Sequence, residues 1–234
     1  MAALVGSGTP EGVWLRAEQQ TAGRGRLGRI WVSPPGNFYG STLVRLRARD
    51  PAAATLALVA GIALHDAVSL CSREGGSPAW APALAGAQEG GQYLKWPNDL
   101  LRGGAKLAGI LLERVENAVV VGVGVNLAHH PDLPDRPTTS LAAQGIGVHA
   151  QLFAEVLAEV FARWLHRWRG EGLAPIRTAW LAAAHPIGSA LNARLPDGTS
   201  VDGLFDGLDA DGALILRLEH GDRRVIHAGD VFLL

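Results

Sequence analysis

Residues Gly23 to Gly28 read Gly-Arg-Gly-Arg-Leu-Gly, the G-x-G-x-x-G spacing of a dinucleotide-binding loop, and the residues after them exclude the fold to which such a loop belongs. A dinucleotide loop must open a helix whose N-terminus receives the pyrophosphate. Here Arg29 to Val32 runs straight into Ser33-Pro34-Pro35, and a proline pair lacks the N–H groups a continuing helix needs. The glycine loop of a protein kinase is excluded too, because neither H-R-D nor D-F-G occurs downstream. What remains is three arginines, Arg24, Arg26 and Arg29, set among glycines that let backbone amides approach a ligand. Guanidinium forks and glycine amides together suit a carboxylate or a phosphate. Apolar runs on both sides, Val13 to Ala17 and Phe38 to Leu46, read as strands, which makes residues 18–37 a long exposed loop between them.

Pro51 opens a helical pattern reaching Cys71, with Leu56, Val59, Leu64, Val68 and Cys71 near helical spacing. His65 and Asp66 interrupt its apolar stretch, so it does not read as a membrane span of roughly 20 clean apolar residues. Gly75 and Gly76 are expected to end this helix, and residues 77–92 form a Gly/Ala/Pro spacer. Tyr93 to Lys95, Lys106 to Glu113 and Ala118 to Val125 read as strands of one sheet, with turns at Gly103-Gly104 and Glu116-Asn117. His129 to Pro137 is a proline-rich loop. Gln151 to Arg169 is an amphipathic helix with Leu152, Phe153, Val156, Leu157, Val160, Phe161, Trp164 and Trp168 on one broad face. A second helix runs from Pro175 to about Ala184.

Beyond His185-Pro186, short strands recur between turns at Pro196-Asp197-Gly198, Asp209 to Gly212 and Gly221-Asp222, the pattern of a small, partly open β-barrel. The expected fold is therefore α/β (α+β), a mixed sheet flanked by helices over residues 1–185 and a β-barrel over 186–234. With 48% apolar residues in a chain of 234, both parts can bury a core.

The charge balance of 21 basic to 22 acidic residues gives no global field to draw the chain onto nucleic acid or an anionic membrane. One cysteine, Cys71, supplies neither an internal disulfide nor a cysteine-rich metal site, which points to a reducing compartment, the cytoplasm. Residues 1–10 lack the basic start and apolar run of a signal peptide.

Two further blocks carry chemistry. Lys95-Trp96-Pro97-Asn98-Asp99 sets a lysine at the end of a predicted buried strand, where a charge needs a partner or a function; a structural ion pair is the plainer reading of a lone lysine. Gly122-Val123-Gly124-Val125-Asn126 ends another strand with two glycines and an amide, which taken alone is no more than a bulge or a close backbone approach. A metal site at His129, His130 and Asp132 is disfavoured, since adjacent histidines in a proline-rich loop are usually solvated. A serine hydrolase is disfavoured by the absence of G-x-S-x-G. RNA binding through the arginine loop would make affinity steeply salt-dependent.

Together, AEQQTAGRGRLGRIW, KWPND followed by KLAGILLE, and GVGVN followed by a proline loop and Thr139-Ser140-Leu141 closely resemble the catalytic domain of the biotin protein ligases in order and spacing. The resemblance runs from about Gly8 to Leu234. It implies a class II synthetase-like catalytic domain with a C-terminal SH3-like barrel, and an enzyme that makes biotinyl-5′-adenylate from biotin and ATP carrying Mg2+. The biotinyl group then passes to a lysine of the biotin carboxyl carrier protein of acetyl-CoA carboxylase. By the same resemblance, Arg24 and Lys95 are the catalytic residues. Gln20, Arg24, Gly25, Arg26, Lys95, Gly122 and Gly124 bind biotin, and Arg26, Trp31 and Asn126 bind the nucleotide. No protein-bound metal is implied. Asp99 and Glu113 stay outside the catalytic set, because turn formation and edge pairing account for them equally well.

Members of the family also carry a Ser-Thr-Asn segment ahead of the part matched by Gly8 to Gly12, and Ser7 and Thr9 do not reproduce it. Each lost hydrogen bond to the biotin ring would cost about 1–3 kcal/mol. The expectation is either a gene product that starts upstream of Met1 or a shortened protein with weakened biotin binding, at the extreme a binder without turnover. Lipoate and octanoyl transferases share the fold but lack the GRGRxGR loop. No helix-turn-helix segment accompanies the blocks, so DNA binding is not expected. The family includes monomers and dimers, which keeps a homodimer among the expected partners.

Overall fold

The computed structural model describes residues 1–72 and 91–234. A short helix α1 (Ala2–Val5) precedes the strands β1 (Trp14–Ala17), β2 (Phe38–Arg45), β3 (Gln92–Lys95), β4 (Asp99–Arg102), β5 (Ala105–Val115) and β6 (Ala118–Val125). These six form one sheet in the order β1-β2-β6-β5-β4-β3. Its ladders are antiparallel, and single parallel bridges tie Leu94 to Ala184 and Lys106 to Thr138. Alternation along a strand gives the sheet two unlike faces. Val119, Val121, Val123 and Val125 of β6 join Phe38 and Val44 of β2 in the main core, whereas Gly122 and Gly124 face the other way.

Three helices cover the core face: α2 (Leu56–Cys71), α3 (Ala150–Glu171) and α4 (Leu173–Ala183). α2 packs against α3, α4 and β3 to β6, which explains why it is apolar nearly all round. The segment Ala53–Cys71 has the length and apolarity to cross a membrane, but most of it is buried inside the protein. The polar break foreseen in it is matched by a partner, since the Trp164 indole donates to Asp66 Oδ2 at 2.9 Å. α2 begins at Leu56 rather than at Pro51, because a 3-10 turn over Ala53–Thr55 comes first. Gly75-Gly76 and the spacer up to residue 90 lie outside the described residues; Gln92, assigned to the spacer, is the first residue of β3. In α3, Leu152 is half exposed and so leaves the predicted buried face. α4 starts at Leu173, two residues before Pro175, which sits in the first turn where a missing N–H costs nothing.

The C-terminal strands β7 (Ala190–Arg194), β8 (Ser200–Leu208), β9 (Leu214–Arg217), β10 (Arg223–Ile226) and β11 (Asp230–Leu233) form an antiparallel sheet in the order β10-β9-β8-β7-β11. Its end strands β10 and β11 do not pair with each other, so the barrel is open. Its core is not separate. Phe205, Leu214 and Leu216 belong to the same buried cluster as the helices and the large sheet. The Trp96 indole donates to the Gly212 carbonyl at 3.2 Å, and Phe205 packs against Trp180 and His185 with ring centroids 6.5 and 4.3 Å away.

His185 lies buried at this junction, and burial pushes its imidazole down to about 4. In the unfolded chain the ring titrates near 6.5, so between the two values the unfolded state binds a proton that the folded state refuses. Stability is expected to be full above pH 6.5 and to fall as the pH drops toward 4, by up to about 3 kcal/mol from this group. Urea unfolding across that range should be flatter for His185→Leu than for the parent; parallel curves would remove His185 as the cause.

Candidate active site

The cleft is built on a tight hairpin. β3 and β4 are joined through Trp96-Pro97-Asn98, and Lys95 and Asp99 are direct cross-strand partners. Partners in an antiparallel ladder project from the same face. The register continues the row across the sheet, Asp99 to Gly109, Gly109 to Gly124 and Gly124 to Tyr39, so a charged pair stands beside two residues without side chains. A bulge between Leu100 and Leu101 shifts the register and pairs Leu101 with Lys106. That extra residue re-aims Lys106 onto the same face.

Asp99 is buried between two ammonium groups, with Lys106 Nζ 2.6 Å from Oδ1 and Lys95 Nζ 3.2 Å from Oδ2. Burial alone would raise its pKa, but Lys106 and Lys95 together hold it below the usual carboxylate range. Lys95 moves below the usual lysine range, first because it is buried and further because Lys106 and Arg136 repel its charge, while Asp99 opposes the shift. Lys95 Nζ also donates to the Val231 carbonyl of β11 at 2.8 Å, so the C-terminal sheet holds one side of the site.

Trp31 lies flat on the glycine row. A Cβ at Gly124 would meet its indole at 2.7 Å, so that position cannot carry a side chain while Trp31 stays in place, and one at Gly109 would press on it at 3.2 Å, which a small shift of the ring relieves. Lys106 Nζ sits 5.6 Å from the centre of the same ring. The arginine loop that leads to Trp31 is a hairpin, closed by Gly25 N–H to the Arg29 carbonyl at 2.7 Å and Trp31 N–H to the Gly23 carbonyl at 3.0 Å. Leu27 and Gly28 turn it with φ of 56° and 72°. The prolines thus have the effect anticipated: this G-x-G-x-x-G segment opens no helix of the dinucleotide-binding kind.

All nine candidate residues, Gln20, Arg24, Gly25, Arg26, Trp31, Lys95, Gly122, Gly124 and Asn126, line one cleft of about 530 Å³, a volume in the range of small-molecule sites. Their present engagements differ. Arg24 is exposed at the cleft and makes no hydrogen bond or ion pair among the described residues. Gln20 Oε1 accepts from the Ser33 hydroxyl at 3.0 Å. Arg26 donates to Asn98 Oδ1 and to the Gly229 carbonyl, both at 3.2 Å. Asn126 is buried, with its amide donating to the Thr139 carbonyl at 3.0 Å. The sequence reading missed Lys106 and the central place of Asp99, although both stand in the quoted blocks KLAGILLE and KWPND. It also missed Asp230, Val231 and Phe232, which reach the cleft from β11; Asp230 binds Arg29 and lies 3.5 Å from Arg26.

Known proteins resemble this chain over most of its length. The profile of the biotin/lipoate A/B protein ligase family matches residues 8–127, and that of the biotin protein ligase C-terminal domain matches residues 187–234. The chain is 44% identical over 230 residues to a biotin–[acetyl-CoA-carboxylase] ligase of Paracoccus denitrificans, covering 94% of this chain and 89% of that protein. It is 36% identical over 228 residues to the protein of that name from Mycobacterium tuberculosis, covering 94% and 79%. The fold matches the biotin protein ligase of Aquifex aeolicus, solved with biotin and ATP, with a TM-score of 0.79 at 22% identity over 97% of this chain and 91% of that one. On a cleft assembled from all three sequence blocks and on matches over nearly its whole length, the chain belongs to the biotin protein ligases of the biotin/lipoate A/B protein ligase family.

Proposed function

We propose that this chain is an ATP-dependent biotin protein ligase of the cytoplasm. It forms biotinyl-5′-adenylate from biotin and ATP, then transfers the biotinyl group to a lysine of the biotin carboxyl carrier protein of acetyl-CoA carboxylase. The observation that carries the reading is the Lys95–Asp99–Lys106 cluster beside the Gly109–Gly124 floor, inside a cleft that six cations and four carboxylates line in a chain of net charge −1.

In the first step a carboxylate oxygen of biotin attacks the α-phosphorus, the new O–P bond forms and the bond to pyrophosphate breaks. Two anions must meet, and negative charge grows on the phosphoryl oxygens and the leaving group. Lys95, Lys106 and Arg24 place positive charge there before the reaction, which avoids the cost of reorganising water. Asp99 acts through the lysines: it fixes both ammonium groups on one side of the cleft and favours the charged form of Lys95 against its burial. No protein group has to gain or lose a proton in this step. In the second step the neutral amine of the acceptor lysine attacks the biotinyl carbonyl carbon, the C–N bond forms, AMP leaves with the C–O bonding pair, and the nitrogen gives up one proton to solvent.

Gln20, Arg24, Gly25, Arg26, Lys95, Gly122 and Gly124 are assigned to biotin, whose approach to Gly124 requires Trp31 to move off the glycine row. Arg26, Trp31 and Asn126 are assigned to the nucleotide. Mg2+ is assigned to the triphosphate of ATP, as part of the substrate. In this reading residues 1–185 do the chemistry and residues 186–234 close the cleft. DNA binding has no part in it, and monomer and homodimer serve equally, because every group named lies on one chain.

The test is biotin-dependent exchange of pyrophosphate into ATP, followed by labelling of a carrier domain. Exchange supported by biotin is expected; exchange supported only by lipoate or octanoate, or none, would reject the reading. Arg24→Gly is expected to bind the adenylate more loosely and release it, so that lysines of bystander proteins become labelled. Bystander labelling equal to that of the parent would remove Arg24 from adenylate retention.

A further inference from the structure

The face of the C-terminal sheet that borders the cleft carries a feature the ligase reading has not used. Phe232 of β11 has three cations around its ring, with Arg194 at 5.3 Å, Lys95 at 5.8 Å and Arg136 at 5.9 Å from the centroid. Strand alternation explains the gathering on the C-terminal side. Leu191 and Ala193 of β7 enter the core, which turns Arg194 to the outer face opposite its cross-strand partner Asp230.

That carboxylate is already bound to Arg29 and faces Arg26, and Arg194 has no ion-pair partner among the described residues. Among the described residues Arg136 ion-pairs only with its neighbour Asp135, whose side chain is 56% exposed and therefore weak as a counter-ion. The ring thus collects more positive than negative charge at the edge of a site that handles a polyanion. The order of groups across the cleft adds direction. The glycine floor lies on β5 and β6, Asp99 stands on β4 and Lys95 on the edge strand β3, and the Phe232 ring lies 5.8 Å from Lys95 Nζ. An in-line displacement at phosphorus needs the attacking carboxylate and the leaving group on opposite sides of the α-phosphate. Biotin is assigned to Gly122 and Gly124 on β6, and the cations around Phe232 include Lys95 on β3, the edge strand of the same sheet.

We propose that Arg136 and Arg194, held on Phe232, receive the pyrophosphoryl end of ATP and the pyrophosphate it becomes. The C-terminal sheet would then contact substrate directly. The proposal rests on the ligase reading for its substrate, but its ligand can be tested without turnover.

Titration calorimetry with inorganic pyrophosphate on the full chain, on Arg194→Ala, on Arg136→Ala and on Arg194→Lys is the experiment, together with pyrophosphate exchange and with transfer from isolated biotinyl-5′-adenylate. Each alanine variant is expected to bind pyrophosphate at least tenfold more weakly and to raise the KM for pyrophosphate in exchange. Arg194→Lys should recover part of the loss, and transfer from the isolated adenylate, which lacks these phosphates, should keep its rate. Pyrophosphate affinity equal in parent and variants, or absent from the parent, overturns the proposal even if exchange activity upholds the ligase reading. Slower transfer at unchanged pyrophosphate affinity also overturns it and places the two arginines on the acceptor side. Weakened pyrophosphate binding in a chain with no biotin-dependent exchange would uphold the anion site and reject the ligase reading.

Discussion

Lys106→Ala and Lys95→Ala are each expected to lower biotin-dependent pyrophosphate exchange by about 10²–10³-fold, the usual loss when one preorganised charge-stabilising group is removed from a transition state. Both ammonium groups stand on the cleft face within reach of one carboxylate, and both are largely shielded from water, where a charge acts more strongly on a neighbouring anion. The double variant should lose less than the product of the two single losses, because the groups share Asp99 and act as a unit. Single-turnover exchange with folding checked by circular dichroism measures this. Full activity in Lys95→Ala would restore the plainer view of that lysine as half of a structural ion pair.

Asp99→Asn is expected to cost about 3–5 kcal/mol of folding stability, since it leaves two buried ammonium groups close together without their counter-ion. The chain can relieve the repulsion by releasing a proton. Lys95 already sits below the usual lysine range through burial, and losing the carboxylate lowers it further. The variant should therefore recover stability as the pH rises and one lysine becomes neutral, and its residual exchange should fade over the same range as catalytic charge is lost. Opposite slopes of stability and activity with pH are the signature to look for in urea unfolding and exchange assays. A variant as stable as the parent at neutral pH, with an unchanged pH profile, would mean that Asp99 does not hold Lys95 charged.

The strands and long helices were legible because their signals are local. Valines alternating with glycines in β6 announce one buried and one open face, and Ser33-Pro34-Pro35 settles that the glycine-rich loop opens no long helix before the structure is seen. The misses have equally physical causes. β4 was hidden because Asp99 follows Pro97 and Asn98, which read as turn residues, and because only four residues separate that turn from Gly103. Lys106 was assigned no role, and strict alternation would set it with Ala108 and Ile110 on the core side; only the bulge beside Leu101 turns it outward. Asp230, Val231 and Phe232 could not be placed at all by local pattern. Val231 lies 136 residues from the lysine it touches, and no periodicity reports a contact at that range.

The shared core that binds the small C-terminal sheet to the helices changes what kind of object this chain is in thermodynamic terms. Two modules with separate cores can melt apart, each with its own midpoint. Here Phe205 packs on Trp180, Trp96 donates to Gly212, and Lys95 reaches Val231, so opening the C-terminal sheet exposes the interior of its neighbour and frees a reactive lysine in the same event. Such coupling is expected to make the chain unfold as one cooperative unit, with fluorescence and circular dichroism transitions that coincide. The population able to react and the population fully folded are then a single population, and any change that loosens the last fifty residues lowers turnover and folding together.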